Sequence, residues 1–276
     1  MITVTLGMAS MVFAVGALAG TLGSLLGIGG GVFLVPFLVL WMGLPIRAAV
    51  SISLLTVIAT STVVSASTAG SHQINMKLGM LLEVFTAAGA LAGGITAQAL
   101  SPHTLQLLFG ASVSVIALVT LSRLNTRNVI LDPDAEPGEL GGRIFDPETG
   151  RTVTYRMKRL PVALAGSFVA GNLSSLLGIG GGIVKVPMLN AWCGVPVRAA
   201  AATSAFMIGV TATGGAVIYY GHGDVIPMLA APAVIGVRLG GFVGVRLAAR
   251  ARARWLKLLL ALILLVVAGS MFVRAL

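Results

Sequence analysis

Long apolar segments without charge dominate the chain. No Asp, Glu, Lys or Arg precedes Arg47, and further uncharged runs cover 48–76, 84–122, 160–184, 199–223 and 258–273. Several exceed the roughly 20 residues that a helix needs to cross a bilayer. We predict spans near 47–69, 78–100 and 104–123, and near 198–220, 226–247 and 255–273. The pattern is typical of an all-α, polytopic membrane protein.

The second half of the chain repeats the first. Leu25 to Pro36 reads LLGIGGGVFLVP, and Leu176 to Pro187 reads LLGIGGGIVKVP, at an offset of 151 residues. Between 20–49 and 171–200, 19 of the 30 aligned positions are identical. We therefore divide the chain into a first transmembrane repeat (1–123), a connector (124–158) and a second transmembrane repeat (159–276).

Each repeat opens with a long apolar segment that glycines interrupt, at about 8–43 and 159–194. About 36 residues are too many for one span, and the second arm, Val32 to Met42, is short for a full one. We predict a glycine-broken helix or a re-entrant hairpin with the glycines at its turn. That gives five segments per repeat and ten in all, and eight continuous spans is the alternative.

Basic residues in the loops predict that the two repeats are inverted. The loop at 246–257 holds five basic residues, whereas its counterpart at 96–106 holds none. By the positive-inside rule the first loop is cytoplasmic and the second lies outside. The connector, with seven basic and six acidic residues between 123 and 159, is then cytoplasmic. Within it, Ile144-Phe145 and Thr152 to Tyr155 would form a small hairpin.

The composition excludes several classes of protein. The chain is 57% hydrophobic and 9% charged, with a mean hydropathy of +1.01, unlike a soluble domain. Its formal charge of +10 lies mainly in two loops, which favours membrane orientation over nucleic-acid binding. The single cysteine, Cys193, excludes an internal disulfide. Because no catalytic motif is recognisable, we expect no enzyme activity, no cofactor and no metal site.

The doubled glycine stretch is the candidate binding site. Successive backbone N–H groups in a glycine-rich turn, followed by a helix N-terminus, suit an anion. Paired broken segments in two repeats are also the best sequence indication of a transporter's binding site. The alternative is that these glycines only let helices pack closely. The candidate residues of the two turns and their polar neighbours are Gly27, Gly29, Gly30, Gly31, Gly178, Gly180, Gly181, Gly182, Ser24, Asn172 and Ser175.

Two cations complete the candidate site. Lys185 lies in an apolar run where the first repeat has Leu34, and Arg238 lies in mid-span where the first repeat has Ala87. Charge at membrane depth usually faces a cavity or a pathway. Either residue would neutralise a bound anion; Lys185 would otherwise reach the interface, and Arg238 would bridge to a carboxylate or carbonyl. Glu83 is either a proton-coupling carboxylate or a partner of Lys77.

These residues, Gly20 through Pro36 with Gly43-Leu-Pro-Ile-Arg47 and their second copies, resemble the TauE/SafE family of sulfite exporter-like membrane proteins. The resemblance implies a permease of the bacterial inner membrane that exports a small sulfur-containing anion such as sulfite, a sulfonate or sulfoacetate. The expected partners are this anion and membrane lipid, with a homodimer permitted and nucleic acid excluded. The alternatives are an importer of a sulfur source or carboxylate, an anion channel, and a membrane-embedded enzyme or assembly factor.

Overall fold

The computed structural model describes residues 5–26, 29–68, 74–122, 138–146, 151–248, 262 and 264–270. Six of its helices are long and apolar enough to cross a membrane. The predicted all-α, polytopic fold is confirmed. The helices are α1 (Leu6–Leu26), α2 (Gly31–Leu40), α3 (Ile46–Thr68), α4 (Met76–Ala99), α5 (Pro102–Ser122), α6 (Leu160–Leu177), α7 (Gly182–Ala191), α8 (Val197–Gly221) and α9 (Pro227–Ala248).

The ends of the predicted spans are close to those observed. Helices α3, α4, α5, α8 and α9 each begin and end within two residues of the prediction, because apolar runs bounded by charge or Pro set their ends. The last predicted span, 255–273, falls mostly outside the described residues, although 264–270 is helical.

The glycine-broken segments form two helices in each repeat. The second of each pair, α2 and α7, has ten residues and is about 15 Å long, half the thickness of a bilayer core. This confirms that the second arm is too short to span. Pro36 lies inside α2 and Pro187 inside α7, so neither proline ends its helix. The glycines alone interrupt the helical run.

The first helix of each repeat packs on the fourth helix of the other repeat. Helix α1 runs along α9, and α6 runs along α4, in the two most extensive contacts between elements. A Cβ on Gly240 would overlap the carbonyl of Ala17, and a Cβ on Gly89 would overlap that of Phe168. These two contacts occupy equivalent positions at the 151-residue offset. Glycines of this kind let helix backbones touch.

Helices α3 and α8, which are equivalent in the two repeats, cross at the centre. The Ser61 hydroxyl donates to the Ala205 carbonyl (2.7 Å) and accepts from the Gly209 amide (3.0 Å). Seven residues earlier on α3, Leu54 lies beside Gly215. Because the contact moves backwards on α8 as it moves forwards on α3, the two helices are antiparallel.

The predicted hairpin in the connector is confirmed. Strands β1 (Gly142–Asp146) and β2 (Arg151–Tyr155) pair antiparallel, and Ile144 pairs with Val153. The hairpin is tied to α4 through Asn75, whose amide donates to the Tyr155 hydroxyl (3.1 Å) while its carbonyl oxygen caps the helix. The hairpin is therefore docked on the helical bundle.

Candidate functional site

The chain folds back on itself at both glycine turns. Gly30 lies against the backbone of Ala19, and its equivalent, Gly181, lies against that of Ala170. Each turn therefore places the start of a short helix, α2 or α7, beside the long helix that precedes it. Neither N-cap residue, Gly30 or Gly181, supplies a side-chain hydrogen bond to its helix. The first N–H groups of both helices therefore have no side-chain cap.

Glycine is required at these turns by backbone conformation. Gly29 has φ 77°, and its equivalent, Gly180, has φ 69°, in the left-handed region that side chains disfavour. Gly178 also has φ 69°. Its equivalent, Gly27, lies outside the described residues.

The two turns meet between the repeats. Gly31 lies against the Gly178 carbonyl, and a Cβ at Gly31 would overlap both that oxygen and the Ser53 hydroxyl. Ser53, from α3, donates to the same Gly178 carbonyl (2.6 Å). The structure thus brings the first turn, at Gly31, against the second turn, at Gly178.

The predicted hydroxyl ligand of the first repeat has a packing contact. Ser24 donates towards the carbonyls of Gly20 and Gly241, the latter at 3.1 Å, and so joins α1 to α9. Thr21, one turn earlier, contacts the Gly240 carbonyl at 3.1 Å in the same way. In this conformation the Ser24 hydroxyl stabilises the contact between helices.

In the second repeat, neither Ser175, the equivalent of Ser24, nor its neighbour Ser174 has such a contact. Ser174 and Ser175 are both buried, and neither hydroxyl oxygen has a hydrogen-bond partner among the described residues. Ser174 lies beside Gly181 at the turn, and Ser175 faces Gly215 of α8. Asn172 is half-buried, with its backbone against Gly93. Ser174 therefore gives the second turn a hydroxyl that has no hydrogen-bond partner in the described part of the chain.

Lys185 lies one turn into α7, where its backbone amide donates to the Gly181 carbonyl (3.0 Å). The side chain is fully buried. Its ammonium group lies 3.6 Å from Oε2 of Glu83 on α4 and donates to the hydroxyl of Thr211 on α8 (3.3 Å). That hydroxyl donates to Oε1 of Glu83 (2.8 Å). Lys185 thus faces a carboxylate, within a bundle of three helices.

Sequence reasoning missed this partnership, because it compared Glu83 only with Lys77, on the same helix. A usable signal was present. Glu83 and Lys185 are opposite charges within apolar spans, and the positions equivalent to them hold Val234 and Leu34. Each of the two charged residues stands where the other repeat has an apolar residue. Opposite charges of this kind indicate that the two side chains pair with each other. Thr211 is equivalent to Thr60, which lines a small cavity beside Gly29.

The structure does not bring Arg238 to this site. Its side chain is exposed on the outer face of α9, beside the exposed Leu239. Arg47 donates to the carbonyls of Gln98 (3.0 Å) and Leu100 (2.8 Å), and so binds the end of α4. The side chain of its equivalent, Arg198, lies outside the described residues.

Paired broken helices that meet inside a multi-pass helical bundle are the architecture of a membrane transporter. The chain belongs to the TauE/SafE family: a sequence model of the family described as "Sulfite exporter TauE/SafE" matches residues 12–271. The match includes both glycine turns.

Two relatives are named as transporters. The chain is 27% identical over 259 residues to the "Probable membrane transporter protein YunE" of Bacillus subtilis, covering 91% of this chain and 93% of the relative. It is 30% identical over 215 residues to a probable membrane transporter protein of Methanocaldococcus jannaschii, covering 76% of this chain and 71% of that one. No solved structure matches the chain.

Proposed function

We propose that this chain is a secondary transporter that exports a small sulfur-containing anion, of the sulfite, sulfonate or sulfoacetate type, across a bacterial inner membrane. The observation that carries the proposal is the contact of the two glycine turns at Gly31 and Gly178, with Ser174 beside the second turn and Lys185 one helical turn beyond it. Backbone N–H groups, hydroxyls and an ammonium group are the donors that an oxyanion accepts. The family description supports the substrate class and the direction.

Alternating access follows from two inverted repeats. The antiparallel crossing of α3 and α8 supports inversion, because equivalent helices of two inverted repeats run in opposite directions. The contacts also indicate which parts move. Since α1 packs closely on α9 and α4 on α6, the rigid units mix helices from both repeats. Movement of one unit against the other would open the turns first to one side and then to the other.

Thermal unfolding of the purified protein with a panel of anions tests the binding site. The panel comprises sulfite, thiosulfate, sulfoacetate, taurine, sulfate and acetate. An anion that binds only the folded state, at a free concentration of about a hundred times its Kd, stabilises that state by about 2.7 kcal/mol. We expect a sulfur oxyanion to raise the Tm of the wild type and acetate to leave it unchanged.

The variant for comparison combines Lys185→Leu with Glu83→Val. These are the residues that the other repeat has at the equivalent positions, Leu34 and Val234. The double variant removes the ammonium group without leaving an unpaired carboxylate. We expect it to lose the anion-dependent rise in Tm. An equal rise in the variant would assign binding to the glycine turns alone, and no rise with any sulfur anion in the wild type would contradict the proposed function.

A further inference from the structure

We propose that Glu83, Thr211 and Lys185 form a proton-controlled gate on the anion site, so that each anion is carried together with a proton taken up by Glu83. This inference rests on the proposed function and adds the ion that moves with the anion. Because an outward-moving proton opposes the inward proton gradient, the concentration gradient of the anion itself drives export. In the paired state Glu83 holds Lys185. Protonation of Glu83 frees the ammonium group, which then binds the anion at the second glycine turn.

Lys185 and Glu83 form an ion pair without a direct hydrogen bond between them. The distance from Nζ of Lys185 to Oε2 of Glu83 is 3.6 Å, longer than a hydrogen bond, and Oε2 is buried without a hydrogen-bond partner among the described residues. Thr211 bridges the other oxygen. The three side chains come from α7, α4 and α8, so a shift between these helices separates them.

Charge balance links the proton to the anion. A buried carboxylate beside a buried ammonium group is neutral, and an unpaired charge in such a place is strongly unfavourable. A proton alone would leave the site with one positive charge, and a monovalent anion alone would leave it with one negative charge. Both together leave it neutral. Each therefore favours binding of the other, which is a reciprocal thermodynamic coupling.

Glu83 is the group of the pair that a proton can reach, since its side chain is 12% exposed and that of Lys185 is 0% exposed. Lys185 is the one charged group facing it in the described part of the chain. Helix α6, packed against α4, has no ionisable side chain, and Lys77 is exposed on α4 itself. On α8, Tyr219 and Tyr220 lie two turns beyond Thr211, and the Arg198 side chain lies outside the described residues.

The gate belongs to one repeat. The positions equivalent to Lys185 and Glu83 hold Leu34 and Val234, and of the three residues only Thr211 has a like counterpart, Thr60. The proton site is therefore single although the glycine turns are double. The backbone of Lys185 lies one helical turn from Gly181, so the freed side chain starts close to the second glycine turn. One proton per anion is the expected stoichiometry.

Titration calorimetry of the full-length protein with a monovalent sulfonate, methanesulfonate, measures this stoichiometry directly. Methanesulfonate keeps a single negative charge near neutral pH, because sulfonic acids are strong acids. Repeating the titration in buffers of different ionisation enthalpy counts the protons taken up. We expect about one proton per anion, and an affinity that falls by up to about tenfold per pH unit as the pH rises.

The variant Glu83→Gln should bind methanesulfonate without proton uptake and without pH dependence. Lys77→Gln, on the exposed side of the same helix, should behave as the wild type. Binding to the wild type without proton uptake would overturn this inference and leave the proposed function standing. This outcome is measured on the wild type alone, so it does not depend on whether a variant folds. Proton uptake that persists in Glu83→Gln would also overturn it. If no sulfur anion binds the wild type, the proposed function fails and this inference fails with it.

Discussion

At Gly29 and Gly180 the backbone takes a left-handed conformation at equivalent positions of the two repeats. Gly43 takes the same conformation, with φ 66°, at the end of α2, and it has open space where a side chain would stand. These residues separate two roles of glycine. Backbone freedom is needed at all three, whereas contact with an anion is expected only at the first two.

Alanine at these positions tests the distinction. Each of Gly29→Ala, Gly180→Ala and Gly43→Ala should lower the free energy of unfolding by about 1 kcal/mol, because alanine is strained at positive φ. Only the first two should also weaken anion binding, measured by titration calorimetry. Equal anion affinity in all three variants would mean that the turns serve the fold and not the ligand.

The buried pair makes a separate prediction about stability. Lys185→Leu alone leaves Glu83 without its counter-charge and should lower the free energy of unfolding by about 3 kcal/mol. Adding Glu83→Val should restore most of this loss, since a buried pair replaced by apolar side chains is often neutral or stabilising. Chemical unfolding in detergent measures both. A double variant as unstable as the single one would show that the loss comes from packing.

At the scale of elements, the sequence predicts the spans well and their partners poorly. Helix α3 is an apolar run that begins next to a proline and a cation, so the sequence locates its start. The 151-residue repeat shows that α1 and α6 are alike, but carries no information on which helix each one touches. The pairing of α1 with α9 depends on how the two repeats pack together, which only the three-dimensional structure supplies.

The packing of the two repeats on each other depends on close backbone contacts between helices. Gly240→Ala and Gly89→Ala would each place a Cβ in the carbonyl of the facing helix. We expect each to lower the free energy of unfolding by about 1–3 kcal/mol, the usual range for overpacking. Gly221→Ala, where no atom lies within 4 Å of the new Cβ, is the control and should be neutral. Thermal unfolding of the four proteins makes the comparison, and tolerance of Gly240→Ala would contradict the packing.

At the scale of the whole molecule, inversion of the repeats requires equivalent loops to lie on opposite sides of the membrane. Ser101, between α4 and α5, is equivalent to Arg252. In a Cys193→Ala background, we expect Ser101→Cys to react with an impermeant thiol reagent added outside cells. Arg252→Cys should react only after the membrane is opened. Labelling of both from the same side would contradict the inversion.

The central claim is that the two glycine turns form the anion site of a transporter. Counterflow in proteoliposomes tests it most directly: vesicles loaded with an unlabelled sulfonate are diluted into a trace of the same sulfonate carrying a sulfur label. A transporter that alternates access should accumulate the label transiently above its equilibrium level, and Gly29→Ala and Gly180→Ala should reduce this accumulation while Gly43→Ala should not. Label that enters without such an overshoot would indicate a channel, and an overshoot unchanged by substitution at the turns would place the anion elsewhere.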